Sequence, residues 1–306
     1  RIILVGDHRQ LPHVVDMTLE RELERDIKER GEDDNYSKKI ESAIKNSLFS
    51  YLFNMLSKME EKDGVKRTIT LNSQFRMHPM LGEFVSKNFY EPFGEMFESP
   101  LPRRLFNHTL EGFDNKPAVW IDLPNRLGSE KRGQSKSRAI EAKIIAQELN
   151  KHIKHASSKN LSFGVISFYK EQINQIKKEL VKFEIMTRID NIIEISEEYR
   201  ELKKDGSSSA EEKFRIGTVD AFQGKEFDVV FLSMVRSNGI NPEGKMADRK
   251  KFGHLMSPNR MCVSMSRQKR VLIIAGDSTM LESELAKQSI KPLVSFYQLC
   301  KSKGKI

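Results

Sequence analysis

Residues 214–238 read FRIGTVDAFQGKEFDVVFLSMVRSN. The apolar runs 214–219 and 229–235 predict two buried strands on either side of a polar turn. Gly224 in this turn allows the backbone to bend tightly or to approach a ligand closely. The side chains of the turn that form hydrogen bonds are Thr218, Asp220, Gln223, Lys225 and Glu226. By itself the stretch fits an ordinary connection between core strands as well as it fits a ligand-binding loop.

Outward from this stretch, predicted strands alternate with amphipathic helices. Further strands are predicted at 1–5, 68–71, 118–121, 163–167 and 271–275. Helices are predicted at 38–60, from about 137, from 167, at 259–268 and at 278–303. In the helix at 38–60, we expect Met55 and Met59 to fill the core. The alternation predicts an α/β fold, with a parallel sheet that helices cover on both faces.

Composition narrows the class of protein. The chain has 306 residues with 38% hydrophobic and 31% charged content, which is enough for a sizeable core. Its formal net charge of +9 favours a polyanionic partner such as nucleic acid. The two cysteines match no metal-binding spacing, so we expect free thiols in a reducing, intracellular compartment, the cytoplasm or a nucleus. No apolar run is long enough for a membrane span, and the abrupt apolar start predicts a piece of a longer protein.

Two polar loops follow the first predicted strands. In GDHRQLP (6–12), Asp7 and Gln10 are suited to orienting a phosphate or a water, although a plain strand-to-helix turn has the same pattern. In NSQFRMHP (72–79), Arg76 is suited to gripping a phosphate, because its planar fork donates several hydrogen bonds and stays charged. His78 before Pro79 is typical of a structural turn.

Two more segments carry candidate binding residues. Ser167 and Tyr169 in SFYKEQ (167–172) stand at a predicted strand end, where they suit a rim that binds a nucleic-acid backbone. Surface polar residues at a helix N-terminus explain them equally well. Arg260 and Arg267 are seven residues apart, which predicts that they share one side of the helix 259–268 and that Arg267 can reach a phosphate on another domain.

One near-match to a phosphate loop is rejected. GINPEGKM (239–246) lacks only the final Ser or Thr, but Met246 supplies no hydroxyl for magnesium. We also find no acidic pair at the end of an apolar strand. The sequence therefore predicts neither a phosphate loop nor a metal site in this chain.

Four segments in a fixed order carry a family resemblance: GDHRQLP, NSQFRMHP, GTVDAFQGKEFDVVFLSMVRSN and NRMCVSMSRQ. Together they resemble motifs III, IV, V and VI of superfamily 1 helicases, in the class of the nonsense-mediated-decay RNA helicase and senataxin. The resemblance runs from residue 1 to about 277 and covers the C-terminal half of such a helicase. Motifs I and II are absent, and we expect them upstream.

The resemblance implies a role for each matching residue. Gln10 resembles the glutamine that senses the γ-phosphate, and Arg76 the arginine that contacts it. Arg267 resembles the arginine finger that stabilises charge on the transferring phosphoryl group. Matches to the nucleotide-binding and strand-binding positions are Asp7, Gly224 and Glu226 for the nucleotide, and Thr218, Ser167 and Tyr169 for the nucleic acid.

It also implies an architecture and an activity. Residues 1–70 are expected to be the remnant of a first RecA-like domain, and 71–306 a second one with an insertion at about 184–213 that ends in a mobile tip. ATP with Mg²⁺ would bind between the second domain and the upstream RecA-like domain of the same protein, and drive translocation of a monomer along single-stranded DNA or RNA. Alternatives are an ATP-gated binding or remodelling factor that does not unwind, and a nuclease–helicase fusion with its nuclease outside this chain.

Overall fold

The computed structural model describes residues 2–11, 47–133, 135–202, 210–240 and 247–306. The chain divides into two compact units, Arg1–Leu71 and Asn72–Ile306. The first unit contains α1 (Leu48–Asp63), which begins after Ser47, whose hydroxyl accepts a hydrogen bond from the amide of Ser50. It ends at Gly64, which takes the left-handed conformation that favours glycine, with φ of 71°.

Three predictions for the first unit are wrong. Residues 2–5 form no strand, and Ile3 is 87% exposed; residues 68–71 form no strand either. A strand needs a neighbour for its backbone hydrogen bonds, and the described residues of this unit provide none. Met55 and Met59 of α1 are exposed rather than packed in a core.

The second unit is built around a five-stranded parallel sheet with the order β1-β9-β8-β2-β7. The order is not sequential, because helical crossovers connect the parallel strands. This confirms the predicted α/β, RecA-like arrangement. The strands of this sheet are β1 (Ala118–Asp122), β2 (Phe163–Ser167), β7 (Phe214–Thr218), β8 (Phe227–Ser233) and β9 (Gln268–Gly276).

Helices cover the sheet on both faces. On one face, α3 (Ala139–Ile153) and α4 (Lys170–Val181) place Ile145 and Ile176 in one core cluster with alternate residues of the strands. On the other face, the ring of Trp120 of β1 packs edge to face on the ring of Tyr297, with 5.1 Å between the ring centroids. The remaining helices are α2 (Pro79–Val85), α5 (Ala247–Phe252), α6 (Pro258–Ser264), α7 (Glu284–Ser289) and α8 (Lys291–Lys303).

The predicted insertion contains two small hairpins. One pairs β3 (Met186–Ile189) with β4 (Ile192–Ile195), and the other pairs β5 (Glu201–Leu202) with β6 (Glu211–Glu212). The tip predicted at 206–209 lies outside the described residues. No helix in the described part of the chain is long and apolar enough to cross a membrane.

The connection 219–226 links two opposite edges of the sheet. It leaves the carboxyl end of β7 and enters the amino end of β8, while β2 lies between these parallel strands. It therefore passes over β2 at Gly164, where an added Cβ would lie 2.9 Å from the ring of Phe222. Thr218 consequently lies at the carboxyl edge of the sheet and Glu226 at the amino edge.

His78 has a structural role that makes stability depend on pH. Its Nδ1 accepts a hydrogen bond of 3.1 Å from the amide of Met80 at the start of α2. Burial lowers the pKa of His78 to about 4, with smaller contributions from Arg103 and His108. The unfolded chain therefore takes up a proton between about pH 6.5 and 4 that the folded chain does not.

We predict that the His78→Asn variant loses this pH dependence. In the wild type, the stabilising contribution of neutral His78 is present above about pH 6.5. By pH 5, protonation of His78 in the unfolded chain lowers the free energy of unfolding by about 2 kcal/mol. Asparagine keeps a capping acceptor but does not titrate. Urea unfolding of both proteins at pH 7 and pH 5 measures the difference. An equal fall in stability for both would contradict the prediction.

Candidate nucleotide and nucleic-acid sites

Three charged residues from distant parts of the sequence meet at the amino edge of β8 and β9. Arg76 Nε donates a hydrogen bond of 2.7 Å to Glu226 Oε2, and Lys269 Nζ lies 2.9 Å from Glu226 Oε1. Arg76 Nη1 also reaches the carbonyl of Ser266, at 3.3 Å. The structure thus brings together Arg76 and Glu226, which the sequence assigned to two different motifs.

Gln74 fixes the turn that presents Arg76. Its Oε1 accepts hydrogen bonds of 2.9 Å from the amide of Arg76 and 2.7 Å from the amide of Met77. Its Nε2 donates to Ser99 Oγ at 2.7 Å, which ties the turn to a second segment. Because these bonds hold the backbone of the turn in one conformation, they also fix the positions from which the side chains of Phe75 and Arg76 extend.

Glu226 is ionised in this setting. Its partial burial acts to raise the pKa, but hydrogen bonds from Lys269 and Arg76 outweigh burial, so the pKa of Glu226 lies below its ordinary value. A carboxylate held by two cations can accept further hydrogen bonds, for which sugar hydroxyls are suitable donors.

A cavity of about 230 Å³ opens beside this cluster. Phe75 at its wall is 64% exposed, which is unusual for a large apolar side chain next to two charged ones. Sequence reasoning missed Phe75, although an aromatic residue directly before the phosphate-gripping Arg76 was a usable signal. It also missed other residues that line the cavity, namely Asp228, Lys269 and Arg270.

Arg267 is placed differently from the prediction. The helix α6 ends at Ser264 and β9 begins at Gln268, so Arg260 and Arg267 do not share one side of a single helix. The predicted helix was too long because the cap at Met265 had no sequence signal. Arg267 is 1% exposed, and its guanidinium donates to the carbonyl of Val263 at 3.1 Å and to Ser266 Oγ at 2.8 Å.

Arg267 nevertheless belongs to the amino edge. Its Nη1 lies 3.5 Å from the carbonyl of Lys225, the residue before Glu226. Gly224, the glycine predicted to bend the chain, has φ of +74° and an open space where a side chain would stand. Arg267 therefore supports the turn that carries Glu226.

The residues predicted to contact a strand lie at the opposite, carboxyl edge. Ser167 is aligned with Thr218 of β7 and with Ser233 of β8 at the ends of these strands. Ser167 and Tyr169 are buried, and the hydroxyl of Tyr169 accepts a hydrogen bond of 3.3 Å from the amide of His254. Burial raises the pKa of Tyr169. Of the three predicted residues, only Thr218 is partly accessible.

In the first unit, Asp7 and Gln10 form a local turn. Gln10 Nε2 donates to Asp7 Oδ2 at 2.6 Å, and Asp7 Oδ1 accepts from the amide of Arg9 at 3.0 Å. The two polar side chains that the sequence singled out are thus neighbours in space.

The side chains at the amino edge suit the binding of a nucleotide better than the binding of a metal ion. A guanidinium, an ammonium, an ionised carboxylate and an exposed aromatic ring match phosphate, sugar hydroxyls and a base. Within the described ranges, no group of three or more His, Cys, Asp and Glu side chains can hold a metal ion. Most of the near-match to a phosphate loop, 241–246, lies outside those ranges.

Comparisons with known proteins identify the family. Residues 44–279 match the AAA domain family AAA_12. The chain is 27% identical to the DNA polymerase alpha-associated DNA helicase A of Saccharomyces cerevisiae, over 92% of the chain and 35% of that protein. It is 28% identical to the Regulator of nonsense transcripts 1 homolog of Neurospora crassa, over 92% of the chain and 20% of that protein.

A third relative is the ATP-dependent helicase NAM7 of Saccharomyces cerevisiae, 28% identical over 90% of the chain and 23% of that protein. The chain therefore spans about a third or less of the length of these relatives. The motif order and the family match agree, and the chain belongs to the AAA_12 family and is a superfamily 1 helicase domain.

Proposed function

We propose that this chain is the C-terminal motor half of an ATP-dependent helicase that translocates along single-stranded nucleic acid. The observation that carries the proposal is the convergence of Arg76, Glu226 and Lys269 beside an exposed aromatic ring. In this proposal residues 1–70 are the remnant of a first RecA-like domain and 71–306 form the second. An upstream RecA-like domain supplies the phosphate loop and the ligands of Mg²⁺.

Each residue of the amino edge has a role toward ATP. When ATP binds, Arg76 breaks its ion pair with Glu226 and binds a phosphate. Lys269 stays paired with Glu226 and holds its carboxylate in place to accept a hydrogen bond from a ribose hydroxyl. The exposed face of Phe75 packs on the base. Arg267 acts on the γ-phosphate and stabilises charge as the phosphoryl group is transferred.

The connection 219–226 provides the coupling to the strand. Its first residue follows Thr218 at the carboxyl edge, and its last is Glu226 at the amino edge. A displacement of Glu226 on nucleotide binding is transmitted to Thr218 because the connection packs on β2 at Gly164. Closure around ATP then moves the second domain along the strand.

We predict that Glu226→Ala removes discrimination between ATP and an analogue lacking the ribose hydroxyls. A hydrogen bond to a charged acceptor is worth about 1.5–3 kcal/mol, so the wild type prefers ATP by roughly 10-fold to 150-fold. Turnover measured against concentration of each nucleotide, in the protein that carries both motor domains, gives the two values of KM. The adjacent Lys225→Ala variant is the control and is expected to keep the preference. Retained preference in Glu226→Ala would contradict this role.

The chain alone is predicted not to hydrolyse ATP appreciably, because the proposal places the phosphate loop upstream. Robust turnover by the purified chain, lost on Arg267→Ala, would refute that assignment.

The proposed function as a whole is tested with the complete protein in two assays. ATP turnover with and without single-stranded DNA and RNA asks whether a strand drives hydrolysis. Displacement of a labelled strand from a tailed duplex separates a helicase from an ATP-gated remodelling factor. We expect strand-stimulated turnover and displacement; stimulated turnover without displacement would favour the remodelling factor.

A further inference from the structure

Two exposed basic segments lie at the carboxyl edge of the sheet. The first is the loop 124–133, which follows β1, and the second is the helix α5. We call these two segments the basic rim. Its exposed cations are Arg126, Lys131, Arg132, Arg249 and Lys250.

A buried ion pair holds the loop in place. Glu130 and Arg236 are paired at 3.0 Å, and their side chains are only 6% and 4% exposed. Glu130 also accepts hydrogen bonds of 3.0 Å from the amide of Ser237 and 2.9 Å from Asn238 Nδ2. Asn125 Nδ2 adds a bond of 2.9 Å to Ser237 Oγ. The loop is therefore fixed on the segment 236–238, which follows the carboxyl end of β8.

The same segment holds the helix α5. Arg236 donates to the carbonyl of Lys250, and Asn238 Nδ2 donates to the carbonyl of Lys251 at 3.0 Å. Arg236 and Asn238 thus bridge the two halves of the basic rim. Because these contacts are to backbone carbonyls of α5, the charged ends of the rim cations stay exposed at the surface.

The basic rim is positive because its five exposed cations outnumber its two acids, Glu130 and Asp248. The charge of Glu130 is neutralised by the buried Arg236. Asp248 Oδ1 accepts from the amide of Arg249 at 2.7 Å. Exposed cations on a fixed scaffold match the spaced negative charges of a phosphodiester backbone.

We infer that the basic rim binds the sugar–phosphate backbone of single-stranded nucleic acid. It supplies the contact that Ser167 and Tyr169, buried beneath the same edge, do not offer. This inference rests on the proposed function and adds to it a surface outside the helicase motifs. Both segments lie at the carboxyl edge, so one strand bound across both would run along that edge.

The test measures binding of a fluorescent single-stranded oligonucleotide to this 306-residue chain by anisotropy. DNA and RNA oligomers are used in parallel, at several salt concentrations. The variants are Lys131→Glu with Arg132→Glu, and Arg249→Glu with Lys250→Glu. The matched control is Lys177→Glu with Lys178→Glu on α4, which makes the same change in net charge two turns away from the carboxyl edge. Thermal unfolding checks that all variants are folded.

Each rim variant is expected to weaken binding by roughly 10-fold or more at low salt and to reduce the slope of log K against log salt by about 1–2, while the control changes neither substantially. Equal weakening in rim and control variants would overturn the inference and leave the proposed function standing, since binding would then reflect net charge at another surface. Failure of the unaltered chain to bind either oligomer would also overturn it. Strand-stimulated ATP turnover by the complete protein would then decide the proposed function separately.

Discussion

Replacing Arg267 with alanine, in the protein that carries both motor domains, is expected to lower strand-stimulated ATP turnover by about 10³-fold or more. The proposed role of Arg267 is to stabilise charge on the transferring phosphoryl group. Its guanidinium lies at the amino edge next to the carbonyl of Lys225, but it is buried and bonds to Val263 and Ser266, so the proposed role requires it to leave these partners when ATP binds. The measurement is the steady-state turnover of wild type and variant with saturating single strand.

Two controls separate catalysis from folding in this experiment. Arg267→Lys keeps the charge but loses the planar fork, and we expect it to recover only a small part of the turnover. Arg188→Ala, an exposed cation on β3, is expected to leave turnover unchanged. Thermal unfolding of each variant shows whether the domain is intact at the assay temperature. Normal turnover by a folded Arg267→Ala protein would contradict the assignment.

The Glu141→Ala variant is expected to destabilise the second unit by about 3–5 kcal/mol, the largest stability effect among the changes considered. Glu141 and Arg138 form a fully buried ion pair at 3.0 Å. Glu141 also accepts hydrogen bonds of 2.6 Å from Ser233 Oγ and 2.8 Å from the amide of Val235. Val235 has φ of +66°, which is strained for a β-branched residue, so these bonds hold a conformation that the backbone disfavours.

Denaturant unfolding of the chain measures this effect, with two variants for comparison. Glu141→Gln keeps an acceptor oxygen and is expected to cost less than Glu141→Ala. The double variant Arg138→Met/Glu141→Leu removes both charges and is expected to recover much of the loss, because no unpaired charge stays buried. A loss below about 1 kcal/mol for Glu141→Ala would show that the buried pair does not stabilise the fold.

The sheet could be predicted from sequence because its strands are nearly continuous apolar runs bounded by polar turns. The strand β2 matches its predicted range of 163–167, and β9 extends beyond its predicted range by a few residues. The strand β8, at 227–233, begins and ends two residues before its predicted range of 229–235. The same signal failed at 1–5, where an apolar run has no strand beside it in the described residues. Apolar character predicts burial only if a partner surface is present.

The site was predictable in its members but not in its contacts. Arg76, Gly224 and Glu226 were identified from motifs, yet the pairing of Arg76 with Glu226 joins residues 150 positions apart and has no local signature. Lys269 was missed because one lysine in a basic chain has no distinguishing pattern. Burial of Ser167 and Tyr169 depends on how the segment around His254 folds back, which spacing along the chain does not encode.

In the proposed mechanism, nucleotide binding at the amino edge and strand binding at the carboxyl edge are coupled through the connection 219–226. The most direct measurement is the affinity of the complete protein for a single-stranded oligonucleotide, with and without a non-hydrolysable ATP analogue, for wild type and Arg76→Ala. We predict that the analogue changes strand affinity in the wild type by a coupling free energy of about 1–3 kcal/mol, and that Arg76→Ala largely abolishes the change. Equal strand affinity with and without the analogue in a wild-type protein that binds both would contradict this coupling.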